Sequence, residues 1–242
     1  MTILKSSTFT TALTAVCLTI LTACGGGGGG SETNTTTDPD PVTAPTTAST
    51  TTSTSTPTCA AAAINPAEAF SLVFRGCSVA GVAEYYDKTQ CVRQNSTGLI
   101  WQGQTPAGTG LRANDKYFSN LDSTTTEQKY DANVLGFYRY PIQAEVDAST
   151  NSIGFKNAVN ATNLCGSSAW RLPTVDELAT LVKTSEKPTI DNTWFPNMTD
   201  QNYWTSTTFG ANTSFAMSID FNLGLANGRS RGNANALIRL VR

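Results

Sequence analysis

The chain contains no histidine. That absence removes Ser-His-Asp triads, Cys-His dyads and HExxH zinc sites. It also removes the side chain best suited to proton transfer near neutral pH. Charge is scarce as well: Asp, Glu, Lys and Arg make up 14% of 242 residues, and the formal net charge is −2. No basic field therefore draws the chain to nucleic acid. No CxxC or Cys/His cluster has the spacing of a zinc site, so no metal and no cofactor is expected. The apolar stretch 9–20 is too short to span a bilayer as a helix. Polarity is carried instead by Thr, Ser, Asn and Gln, as in many exported proteins.

What is present begins with an address. Lys5 supplies a positive n-region, residues 9–20 an apolar h-region diluted with Thr, and Leu21-Thr22-Ala23-Cys24 follows. Small residues ahead of a cysteine at this distance resemble a bacterial lipobox. Residues 1–23 are therefore expected to be a lipoprotein signal peptide and Cys24 the lipid attachment site. Gly25 after the cysteine, where Asp would mark inner-membrane retention, leans toward the outer membrane and cell surface. Residues 24–58 then carry an unbroken glycine run and 13 threonines, with Pro39, Pro41, Pro45 and Pro57 and no aromatic residue. Such a segment buries too little apolar surface to offset chain entropy, and it is expected to be a disordered stalk.

Beyond the stalk, residues 59–242 have the length of one domain. Four cysteines lie there, an even number in an exported chain, which suggests two disulfides. Three connectivities are possible; local pairing gives Cys59–Cys77 and Cys91–Cys165. Residues 98–101 read as a short strand and 153–164 as a short amphipathic helix. Thr174 and Glu177 have the spacing of a capping box, followed by the stripe Leu178, Leu181 and Val182 of a second helix. The period then changes to two. Residues 203–207 read as a strand, and Phe215, Met217, Ile219 and Phe221 alternate with Ser214, Ala216, Ser218 and Asp220 as in a half-buried strand. Residues 224–232 read as a Gly/Asn-rich turn region and 236–242 as a final strand. The expected class is α+β with two short helices and a mainly antiparallel sheet. Residues 107–143 read only as a long irregular insertion.

Several of these segments together resemble a known family. They are Thr97-Gly98-Leu99-Ile100-Trp101, Leu164-Cys165, Trp170-Arg171-Leu172-Pro173-Thr174 with Glu177-Leu178, Tyr203-Trp204-Thr205-Ser206, and Ile238-Arg239-Leu240-Val241-Arg242. In this order and spacing they resemble the DUF1566, or Lcl C-terminal, domain over residues 91–242, with 59–90 as an N-terminal extension. The resemblance implies a C-type-lectin-like fold, and it implies surface proteins, the namesake being an adhesin-like protein directed at sulfated glycans. The namesake's collagen-like repeats have no counterpart here. The Glu-Pro-Asn and Trp-Asn-Asp signatures of calcium-dependent lectins are absent. The reactive cysteine pair of the related sulfatase-modifying factors is absent too, since no cysteine follows Cys165.

The candidate ligand residues lie near the C-terminus. Arg229 and Arg231 sit in the Gly/Asn-rich segment, where solvent-facing guanidinium groups suit sulfate or carboxylate; Arg239 and Arg242 belong to the family pattern and read as structural. Asn202, Asn212, Asn233 and Asn235 offer paired donors and acceptors on short side chains. Trp101, Trp170 and Trp204 read as core rather than as sugar-stacking platforms, and Arg171 with Glu177 as a helix-start pair. The expectation is a surface-displayed, adhesin-like binding module for a glycan, sulfated or not, or a protein ligand, with no catalytic residue and membrane contact through lipid alone. The alternatives are an assembly lipoprotein docking an envelope or pilus partner, and a carboxylate-based hydrolase using Asp176, Glu177 or Asp220.

Overall fold

A computed structural model describes residues 59–134 and 136–242. The expected signal peptide, the expected lipid site Cys24 and the expected stalk lie outside the described residues. The first strands are β1 (Phe70–Leu72), β2 (Phe74–Cys77), β3 (Ala83–Tyr85), β4 (Cys91–Gln94) and β5 (Ile100–Gln102). β1, β4 and β5 form an antiparallel sheet with β4 in the centre, and β2 pairs with β3 as a hairpin. The extension thus supplies an edge strand to the first sheet.

The segment read as an irregular insertion carries a small hairpin, β6 (Lys129–Tyr130) with β7 (Tyr138–Arg139), and a single-turn helix α1 (Gln143–Val146). That turn is a third helix where two were expected. α2 (Ser152–Ala161) buries Phe155 and Val159. Gly154 lets it approach the preceding turn, because a Cβ there would lie 2.2 Å from the Ala148 carbonyl oxygen. α3 (Val175–Ala179) opens as its sequence requires. Thr174 Oγ1 accepts from the Glu177 amide at 3.2 Å, and Glu177 Oε2 accepts from the Thr174 amide at 2.8 Å. Leu178 and Leu181 are buried behind it.

The second sheet has β9 (Asn212–Asp220) between β8 (Asn202–Phe209) and β10 (Leu225–Ser230), all antiparallel. Two expectations are corrected here. Most of the supposed turn region is β10, with only Gly224 in the left-handed region at φ +74° to reverse the chain. β9 is not half-buried by alternation: Ala216 and Ser218 are fully buried, and so is Ile219 on the opposite face. Core packs against both faces, one cluster containing Trp204 and Ala216 and the other Tyr203 and Ile219.

Residues 236–242 are not a simple strand. They stitch the sheets together. Leu237 bridges Tyr203 in parallel, while Val241 bridges both Trp101 and Arg171. The amides of Ile100 and Gln102 donate to Arg242 and Leu240 carbonyls at 2.9 Å each. Trp101, Trp170 and Trp204 are all buried at 1% exposure or less, so each contributes core energy of roughly 1.5–3 kcal/mol or more and none is a sugar platform. The disulfides pair as expected from local order, Cys59–Cys77 and Cys91–Cys165.

Candidate ligand-binding surface

The predicted ligand residues separate into three environments. Asn202 on β8 and Arg229 on β10 share one face of the second sheet with Ser218 and Asn227, as strand register dictates. Asn227 Nδ2 donates to Asn202 Oδ1 at 3.0 Å, and Ser218 Oγ donates to Asn227 Oδ1 at 2.6 Å. The chain after β10 brings Asn235 to the same place, where its Oδ1 accepts from Arg229 Nε at 3.3 Å. Asn212 lies apart, exposed at the start of β9, and its side chain holds the Ser214 amide at 3.0 Å. Asn233 is exposed in the connection after β10.

Arg231 overturns its expectation. It does not face solvent; it is 1% exposed. Its Nη1 donates to the Asn120 carbonyl at 3.0 Å and pairs with Asp122 at 2.7 Å, and Nη2 reaches Thr208 Oγ1 at 3.1 Å. The cause is the chain path. The Arg231 amide donates to Ser214 O and the Asn120 amide donates to Arg231 O, so the residue is clamped between β9 and the insertion. Burial lowers its pKa from the usual arginine value, opposed by Asp122.

The other expected structural groups are in place. Arg239 is buried, with Nη1 on the Gln102 carbonyl at 2.5 Å, Nη2 on Gln104 Oε1 at 2.9 Å, and its guanidinium 4.7 Å from the Phe195 ring. Burial pushes its pKa down to about 10, which leaves it charged at neutral pH. Arg171 grips Glu177 through two bonds of 2.7 and 2.6 Å. This contact holds the Glu177 carboxyl below the usual range. Of the other candidate carboxylates, Asp220 accepts the Asn222 amide at 2.8 Å. Among the described residues no group of three or more His, Cys, Asp or Glu is placed to hold a metal ion.

The opposite face of the second sheet carries a feature that sequence reasoning missed. Phe215 contacts Tyr138 of the insertion at 6.2 Å, and Tyr138 meets Tyr130 edge-on at 6.0 Å. Ser230 pairs with Phe215 in register, and its Oγ accepts from the Tyr138 hydroxyl at 3.4 Å. Phe209 lies over Gly228, where a Cβ would come within 2.5 Å of the ring. The surface is open: Phe209 is 47% exposed and Tyr130 41%. Below it, Glu145 pairs with Arg139 at 2.6 Å and Lys129 at 3.3 Å. The Arg139 hydrogen bonds, with the Ile142 amide and Lys129, hold the Glu145 carboxyl down at about 2. The sequence signal was available in the density of Tyr and Phe among residues 117–140, an otherwise polar stretch.

These features define an α+β domain whose tryptophans are all core except Trp194, and one of whose sheet faces carries a cluster of partly exposed aromatics. Residues 90–242 match the sequence model of the Lcl C-terminal domain, and the chain belongs to that family. No curated protein and no solved structure matches it.

Proposed function

We propose that this protein is a surface-displayed, adhesin-like binding module that recognises a glycan, or a protein ligand, without catalysis. On this reading Cys24 carries the lipid, residues 24–58 lift the domain from the outer membrane, and the domain is C-type-lectin-like. No cofactor takes part, and the membrane is contacted through lipid alone. The observation that carries the proposal is the open aromatic surface of Tyr130, Tyr138 and Phe215, with Phe209 on the same sheet face. Exposed apolar clusters of this kind mark interaction sites, and aromatic side chains supply large contact areas at low entropy cost. The sulfated-glycan reading no longer has its arginine pair, since Arg231 is consumed by the fold; Lys129 and Arg139 beside the aromatics both pair with Glu145.

The test is binding of residues 59–242 to a glycan array and to host surface proteins, compared with Tyr130→Ala/Phe209→Ala. At least a tenfold loss in the double variant, with weak salt dependence, is the expected result. Salt-sensitive binding that survives this variant and disappears in Arg229→Ala moves the site to the asparagine face. Binding to neither ligand class, with one stoichiometric envelope partner recovered by crosslinking in the host, replaces the adhesin with the assembly reading.

A further inference from the structure

A groove of about 570 Å³ lies where the extension meets the family domain, a size within the usual range of small-ligand sites. The extension contributes residues 61–65, Glu68, residues 71–74 and Tyr85; the family domain contributes Arg93, Ile100 and Trp194. Most of this lining is aliphatic or aromatic, and Arg93 is its one cation.

Arg93 is half-buried and departs from three other arginines of the domain. Arg231, Arg239 and Arg242 also leave Nε without an acceptor, but each anchors its terminal nitrogens on a carbonyl. Arg93 has a buried, unpartnered Nε, and among the described residues no ion pair involves it. The groove's carboxylate, Glu68, is exposed and accepts from Asn65 Nδ2 at 3.4 Å instead. Only Nε is sealed, so a ligand meets Arg93 through its terminal nitrogens, and a guanidinium fork matches a carboxylate through two parallel bonds.

We propose that this groove binds a small carboxylate with a linear apolar body, a medium-chain acyl acid. The carboxylate sits on Arg93 and the hydrocarbon lies along the extension and Trp194. A sugar acid fits poorly, because most of the lining is apolar and the Ser71 hydroxyl is turned to Asn95 Oδ1 at 2.7 Å; the Tyr85 hydroxyl accepts the Ala62 amide at 2.8 Å. The segment 61–65 is held by that bond and by the adjoining Cys59–Cys77 disulfide, so the extension is part of the site. The site is separate from the aromatic surface, and its test does not depend on that reading.

Residues 59–242 contain both core clusters and both disulfides, and they are titrated with decanoate below its aggregation threshold. Heat and tryptophan fluorescence are read together, Trp194 being the one tryptophan that lines the groove. Saturable one-to-one binding is expected, with 1-decanol at least tenfold weaker. Arg93→Met binds decanoate at least tenfold more weakly while keeping its thermal midpoint. Should Arg93→Met fail to fold, Ala63→Trp decides: it alters an exposed lining position and lowers affinity at least tenfold. The proposal is overturned by absent saturation, by equal affinity for decanol, or by unchanged affinity in Arg93→Met or Ala63→Trp. Tighter binding of acetyl-leucyl-leucine than of decanoate overturns the acyl assignment in favour of a peptide end.

Discussion

The extension and the family domain are held by different means. In residues 90–242 the disulfide is deep, with Cys91 at 0% and Cys165 at 6% exposure, and the buried arginines Arg231 and Arg239 are wired to backbone carbonyls. In residues 59–89 the disulfide lies near the surface, and nearly every residue before Phe70 is exposed. Only Phe70 and Val73 of that segment join the buried clusters. Arg93 lies at the seam between the two regions and lacks the partners that arginines deeper in the domain possess. A basic residue in a family motif or a Gly/Asn-rich segment says little about ligands. Its partner census says more.

Removing each disulfide tests the contrast most severely. The Cys91–Cys165 bond spans 74 residues, and chain-entropy arguments give it about 4 kcal/mol. Urea unfolding of Cys91→Ala/Cys165→Ala should show a loss of that order. Cys59→Ala/Cys77→Ala, with a span of 18, should leave the main transition nearly in place, because it frees an exposed segment. Equal losses in the two variants end the distinction between regions.

The arginines come next in size. Arg231→Ala leaves the Asn120 carbonyl and Asp122 without their donor, an expected cost of about 2–3 kcal/mol. Arg229→Ala should cost less than about 0.5 kcal/mol, as befits a half-exposed side chain with one long bond. A reversal of this order in denaturant titrations restores Arg231 as a candidate surface residue.

The smallest effect is a pH response. Glu145, held at about 2 by Arg139, and Glu177, lowered by Arg171, have folded-state pKa values below their ordinary 4.5. Their contribution is therefore complete above about pH 5 and is lost as pH falls toward 2. Both pairs are partly solvated, which limits the size of the effect. Glu145→Gln should flatten the acid limb of a stability–pH profile while leaving the groove's decanoate affinity at neutral pH unchanged. An acid limb identical to that of the native chain removes Glu145 from the account.

The parts of the fold legible in advance were those governed by neighbours in sequence. The Thr174/Glu177 box is a four-residue event, and α2 follows from the spacing of Phe155 and Val159. The even cysteine count, read in local order, named both pairs. Alternation misled at β9, because period-two reading assumes one solvated face and here core packs against both. The fate of Arg231 was equally hidden, since its partners Asn120 and Asp122 lie more than a hundred residues away. So was the aromatic surface, assembled from β6, β7, β8 and β9.

By itself, then, the sequence determined the class of the domain, its helix starts and its family membership, because each rests on local stereochemistry or on a spaced motif, and it left the cysteine pairing among three connectivities. The tertiary structure alone decided which polar groups are spent on the fold and which stay open. That depends on chain path: residues 236–242 crossing between two sheets, Arg231 sealed beneath the insertion, and residues 61–65 laid beside Arg93. Desolvation and hydrogen-bond satisfaction act between residues brought together in space, and no periodicity along the chain records them.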